Sequence, residues 1–125
     1  MERRDARRPL RWIGSARKDL LALPDEARSE IGFALHLAQV GSRHVHAKPL
    51  KGFGGSGVRE VIQDHDGDTF RAVYAVRFAD VVYVLHVFQK KSTQGIATSK
   101  HDLALIRARL RRAEEDHEQI HRDHA

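Results

Sequence analysis

The chain has 125 residues, of which 41% are hydrophobic and 31% charged, and it has no cysteine and a net charge of +5. This length predicts one domain with its own core, and the cysteine count excludes disulfides, thiolate metal sites and cysteine nucleophiles. No apolar run reaches the length of a membrane span and none follows the basic start, so we expect a cytoplasmic protein.

The positive charge is unevenly distributed. The first 18 residues carry seven basic and two acidic side chains, residues 99–113 carry five and one, and residues 114–125 carry one and five. A concentrated basic footprint favours a polyanionic partner, either nucleic acid or an acidic protein surface, although solubility alone also accounts for it. We expect residues 1–8 to form a flexible basic arm, 9–116 a single domain and 117–125 a polar tail.

The first half of the domain predicts a strand and a helical hairpin. A short strand at Leu10–Gly14 is followed by a helix with Ser15 at its N-cap. Pro24 breaks this helix and begins a second one, which carries a stripe of apolar residues and ends at Gly41. Residues 41–57 contain five glycines and predict a long irregular connection, including a flexible hinge rather than a phosphate loop.

The second half predicts three strands and a helix. The strands are Val58–Ile62, Thr69–Phe78 and Val81–Phe88, and the last is apolar enough on both faces to lie inside the sheet. Thr98 or Ser99 caps the closing helix. The order β-α-α-β-β-β-α predicts a small α+β domain with a mostly antiparallel sheet.

Residues 117–121, His-Glu-Gln-Ile-His, match the helical motif of zinc proteases. The motif lies in a polar stretch with Ile120 as its one apolar residue, so we expect an exposed tail and no metal or cofactor. Asp64-His-Asp-Gly-Asp begins like a calcium loop but lacks the later glycine and glutamate, so a hairpin turn is expected there.

The remaining candidates are cations along the strands and loops: Lys48, Lys51, Arg59, Arg71, Arg77, Lys90 and Lys91. Metal-independent RNA cleavage needs a base for the 2′-hydroxyl, a cation beside the developing phosphorane charge and an acid for the leaving oxygen. Arginine holds phosphate in a bidentate fork, and lysine acts as a base when neighbouring cations depress its pKa. His86, in an apolar strand, is either a proton shuttle or a hydrogen-bonded core histidine.

Several short segments together resemble the HigB-like, phage-derived branch of the RelE/ParE toxin superfamily. They are Lys48-Pro-Leu-Lys-Gly-Phe, Val58-Arg-Glu-Val, Phe70-Arg-Ala-Val-Tyr and Tyr83-Val-Leu-His-Val-Phe-Gln-Lys-Lys-Ser, followed by a helix. The resemblance implies a RelE-like fold and a toxin of a type II toxin–antitoxin module. RelE-type members cut mRNA on the ribosome without metal, whereas ParE-type members inhibit DNA gyrase.

The resemblance also implies roles for individual residues. Arg59 and Arg71 match basic strand positions of the family, Lys90 and Lys91 match the basic pair after the last strand, and Lys51 corresponds loosely to the basic residues before the sheet. The tyrosine that RelE-type enzymes place near the C-terminus is missing here.

We therefore expect a ribosome-dependent mRNA endoribonuclease that is neutralised by a helix-turn-helix antitoxin. Arg71 and Arg59 would clamp the phosphate, Lys90 or Lys91 would stabilise charge, and Lys51 or His86 would transfer protons. Because arginines on strand faces usually point to solvent, removing Arg71 is expected to leave the core intact. The remaining expected RNA contacts are Lys48, Lys100, Arg107 and Arg111.

The alternative is a non-enzymatic binder, either a ParE-like gyrase inhibitor or an interaction module. The two hypotheses differ in geometry, because cleavage requires Arg59, Arg71 and Lys90 or Lys91 to converge on one face of the sheet.

Overall fold

The structure is a computed structural model that describes residues 7–90 and 98–123. Its strands are β1 (Leu10–Trp12), β2 (Ala47–Pro49), β3 (Val58–His65), β4 (Asp68–Ala75) and β5 (Val82–Lys90). Its helices are α1 (Ala16–Leu21), α2 (Asp25–Gln39) and α3 (Lys100–Asp123).

The five strands form one mixed sheet in the order β1-β5-β4-β3-β2. Neighbouring strands are antiparallel except β1 and β5, which pair in parallel. The predicted α+β class is confirmed, and β5 lies inside the sheet as its two apolar faces indicate.

Helices cover both faces of the sheet and create two cores. On one face α1 and α2 pack on residues of β3, β4 and β5, and the predicted stripe of α2 is fully buried: Ala27, Ile31, Ala34, Leu35 and Ala38. On the other face α3 packs through Ile106 and Ala113 against Val73, Tyr83 and Leu85. We call these the α2 face and the α3 face. A functional side chain on the sheet therefore lies under one of two helical layers.

Three differences from the sequence-based expectation affect how the domain is assembled. The connection 41–57 contains β2, which pairs with β3. Strand β4 ends at Ala75, so Phe78, predicted to share the face of Phe70, joins the core beneath α3 instead. Arg8, expected in the flexible arm, is held by hydrogen bonds from its guanidinium to the carbonyls of Val76, Phe78 and Ala38.

Helix α3 runs through residues 117–123, which were expected in the polar tail. Of its 24 residues, only Ile106 and Ala113 are buried. Across the described part of the chain, no helix has the length and apolarity to cross a bilayer.

A β-bulge in β5 sets the direction of a candidate residue. Val73 pairs with His86 while Tyr74 pairs with Val84, which leaves Leu85 as an extra residue. Because a bulge interrupts the alternation of side chains, Leu85 and His86 both point to the α3 face.

Candidate active site

A polar cluster lies under the start of α3, and Arg71 is at its centre. Arg71 Nη1 donates to Glu60 Oε2 at 2.9 Å and to Thr98 Oγ1 at 3.3 Å, while Thr98 Oγ1 donates to Glu60 at 2.9 Å. The side chains of Arg71 and Glu60 are only 3% and 5% exposed. The expectation of a solvent-facing Arg71 was therefore wrong, because a strand arginine is readily buried when a carboxylate pairs with it.

His86 forms a second hydrogen-bonded unit of this cluster. Its Nε2 donates to Asp102 Oδ1 at 2.8 Å, and its ring stacks on Phe88 with centroids 4.4 Å apart. Asp102 also accepts a hydrogen bond from Ser99 Oγ, and its backbone N–H donates to that hydroxyl, so Ser99 caps the helix as expected.

Burial lowers the pKa of His86 despite the neighbouring carboxylate. Burial alone would raise the pKa of Asp102, but the hydrogen bonds from His86 and Ser99 bring it below its usual value. At neutral pH the pair therefore consists of a neutral imidazole and a carboxylate. His86 Nδ1 is buried without a hydrogen-bond partner among the described residues, so this nitrogen retains a free lone pair.

The strand register places these side chains in one row on the α3 face. Lys48 of β2 pairs with Glu60 of β3, Glu60 pairs with Val73 of β4, and Val73 pairs with His86 of β5. Arg71 lies two residues along β4 from Val73, on the same face. Four charged or titratable groups from four strands are thus brought together.

Arg59 does not join this row. It pairs with Tyr74, which belongs to the core beneath α2, so Arg59 lies on the opposite face from Arg71. Burial raises the pKa of Tyr74, while the charges of Arg59 and Arg43 act to lower it. The predicted clamp of Arg59 and Arg71 on one phosphate was wrong, since β3 presents Arg59 and its neighbour Glu60 to opposite faces.

The predicted lysines occupy different places. Lys90 is half-buried and lies on the α3 face, two residues beyond Phe88, which pairs with Arg71. Lys51 is exposed in the turn after β2 and is no part of the row. Lys91 lies outside the described residues.

The cations predicted on α3 are exposed. Lys100 begins the helix, and Arg107 lies over the ring of Phe53 with its Cζ 4.6 Å from the ring centre. Arg111 is exposed one turn further along. Arg77, the remaining strand cation, pairs with Glu114 of α3 at 2.7 Å.

Sequence reasoning overlooked Glu60 and Asp102. Glu60 stands beside the singled-out Arg59, and its pairing with Lys48 depends on the unpredicted strand β2. Asp102 lies three residues after the expected N-cap, a position where acids commonly stabilise a helix start, so nothing marked it as a partner of His86.

Comparison with known proteins relates most of the chain to one family. Residues 18–111 match the family model described as phage derived protein Gp49-like (DUF891). No curated protein and no solved structure matches the chain significantly.

Proposed function

The chain belongs to the Gp49-like family of phage-derived proteins, which are RelE-like toxins of toxin–antitoxin systems, and we propose that it is a type II toxin that cleaves mRNA on the ribosome. The observation that carries the proposal is the row of Lys48, Glu60 and His86 with Arg71 beside it, on one face of the sheet. These side chains include the carboxylate, the guanidinium and the imidazole that metal-independent RNA cleavage uses.

In this proposal Glu60 takes the proton of the 2′-hydroxyl, whereas the sequence suggested Lys51 or His86 for proton transfer. Arg71 binds the scissile phosphate through its planar fork and stabilises the charge that develops on it. Moving the start of α3 away exposes His86 and releases it from Asp102, so the imidazole, no longer held neutral by burial, takes up a proton and delivers it to the leaving 5′-oxygen. Lys90 and Lys48 add positive potential at the two sides of the row, with Lys91 as a further proposed contributor.

RNA reaches Arg71 only after the start of α3 moves away from the sheet, because Thr98 and Asp102 cover the row. Polar contacts dominate where the first turn of α3 meets the sheet, since the first buried apolar residue of α3 is Ile106. Hydrogen bonds of this kind exchange with water at a modest net cost, so an open state is physically accessible.

The proposed partners follow from the charge distribution and the family. Lys100, Arg107 and Arg111 present an exposed cationic surface on α3 that suits ribosomal RNA and mRNA. The same surface suits the acidic segments of a helix-turn-helix antitoxin, the partner proposed for neutralisation.

The test uses conservative variants of the row, induced in cells without antitoxin. Glu60→Gln, Arg71→Lys and His86→Gln should each relieve growth arrest and abolish the mRNA cleavage that primer extension maps. Arg77→Ala is the matched control, because Arg77 is a strand-end cation that pairs with α3 outside the row, and it should remain toxic. Full cleavage by a folded Glu60→Gln or His86→Gln protein would contradict the proposed roles.

A second candidate function is a toxin that binds its target without cutting it, such as a gyrase inhibitor or an interaction module. The position of Arg59 on the face opposite Arg71, together with the burial of Arg71, favours it. Growth arrest without cleaved mRNA, unchanged in His86→Gln, would support this function over the nuclease.

A further inference from the structure

The two histidines of the zinc-protease-like motif meet an aspartate that lies about forty residues earlier in the chain. His117 and His121 lie one turn apart on α3, and Asp80 lies in the turn before β5. His117 Nε2 is 2.8 Å from Asp80 Oδ1, His121 Nε2 is 3.2 Å from Asp80 Oδ2, and the two Nε2 atoms are 3.1 Å apart. Two imidazole nitrogens and the two oxygens of one carboxylate therefore face one another.

These separations match the edges of a metal coordination sphere. Bonds of about 2.0 to 2.1 Å from zinc to imidazole nitrogen place tetrahedral ligands about 3.3 Å apart and octahedral ligands about 3.0 Å apart. Hydrogen bonds alone satisfy this arrangement poorly. When His117 Nε2 carries the proton that it donates to Asp80, the same nitrogen has no lone pair left to accept a hydrogen bond from His121. A cation between them would engage both imidazoles and the carboxylate at once.

The surroundings hold the ligands in place. The ring of His117 lies 4.5 Å from the ring of Phe78 and 6.5 Å from that of Tyr83, and its side chain is only 20% exposed. The expected tail is thus helical and contacts the domain through His117, while most of its other side chains are exposed as expected. Glu118 is exposed and does not belong to the cluster, so the motif lacks the water-activating glutamate arrangement of a protease.

We propose that Asp80, His117 and His121 form a binding site for a divalent first-row transition metal such as Zn²⁺ or Ni²⁺. Two imidazoles and one carboxylate are a common donor set for these ions, and water completes the coordination. The metal links the last turns of α3 to the turn between β4 and β5, so its effect is to fasten this end of the helix to the domain.

Binding is tested on the purified full chain without an affinity tag. Co²⁺ is titrated at pH 7.5 while its visible absorption is followed, and Zn²⁺ is then added to displace it. We expect one ion per chain, and His117→Ala and His121→Ala should each weaken binding at least about 10-fold. His36→Ala removes an exposed histidine of α2 outside the site and should bind like the wild type.

The melting temperature supplies an independent measurement. Zn²⁺ at about a hundredfold excess over the wild-type Kd should raise the Tm of the wild type and of His36→Ala by roughly 5 to 15 °C, and should raise that of His121→Ala by at most about half as much. His121 is more than half exposed, so this variant remains folded without metal. Absent binding, or binding that His36→Ala weakens as much as His121→Ala, would overturn the proposal.

Discussion

Arg71 Nη1 lies 2.9 Å from Glu60 Oε2, and this ion pair is enclosed between the sheet and the start of α3. The pair joins β4 to β3 across the face on which the proposed chemistry takes place. Its burial gives each partner a structural role in addition to any catalytic one, because a charge left alone in this place is costly.

The first prediction concerns the stability of this pair. Arg71→Ala leaves the Glu60 carboxylate buried without its cation, so the free energy of unfolding should fall by about 3 to 5 kcal/mol. Urea denaturation measures it. The control is Arg77→Ala, which breaks the half-exposed pair with Glu114 and should cost no more than about 1 kcal/mol. Equal losses in the two variants would contradict the buried-pair interpretation.

The second prediction concerns the pH dependence of stability. The pKa of His86 is lower in the folded protein than in the unfolded chain because the ring is buried. Acidification therefore protonates the unfolded state first, and stability is lost as the pH falls below about 6.5. His86→Gln removes this contribution. Denaturation at pH 7.5 and 5.5 should show a smaller loss in the variant than in the wild type, and equal losses would show that His86 does not titrate differently on folding.

The third prediction concerns the two tyrosines of the chain. Burial raises the pKa of Tyr74, and burial together with the hydrogen bond to Asp116 raises that of Tyr83. Tyrosinate absorbance should appear above the usual pH of about 10 in the folded protein and near it after unfolding. The unfolded chain ionises first, so stability should fall as the pH rises through about 10.

Replacing Asp116 tests the cause of the Tyr83 shift. Asp116→Asn removes a negative charge that opposes tyrosinate formation, so one of the two tyrosines should ionise at lower pH while the other is unchanged. If both tyrosines ionise at the same pH in Asp116→Asn as in the wild type, the contact between Tyr83 and Asp116 is contradicted.

The fourth prediction concerns RNA binding by α3. Arg107→Glu combined with Arg111→Glu should weaken binding to ribosomes and flatten its salt dependence by about one to two units of log–log slope. The control combines Arg28→Glu with Arg122→Glu, which changes the net charge by the same amount at positions away from Arg107 and Arg111. Filter binding over a salt series compares them, and antitoxin affinity is measured in parallel. If both affinities match those of the control, Arg107 and Arg111 contact neither the ribosome nor the antitoxin.

Local patterns were sufficient to predict most of the secondary structure. The apolar stripe of α2 has the period of a helix, and the alternation of β4 has the period of a strand, so each indicates its element without knowledge of its neighbours. The short strand β2 could not be predicted this way, because its three residues pair with β3 through main-chain hydrogen bonds that carry little side-chain signal.

The sequence by itself determined the α+β order, the position of β5 inside the sheet and the resemblance to RelE-like phage-derived toxins, since these depend on residue types at short spacing. Only the tertiary structure decided which charged and titratable side chains lie next to one another. The pleat of β3 sends Arg59 and Glu60 to opposite faces, and a bulge in β5 turns His86 toward Asp102. Asp80 meets His117 and His121 across about forty residues of chain. Such contacts follow from register and packing, because the fold brings together residues whose separation along the chain leaves no periodic signal.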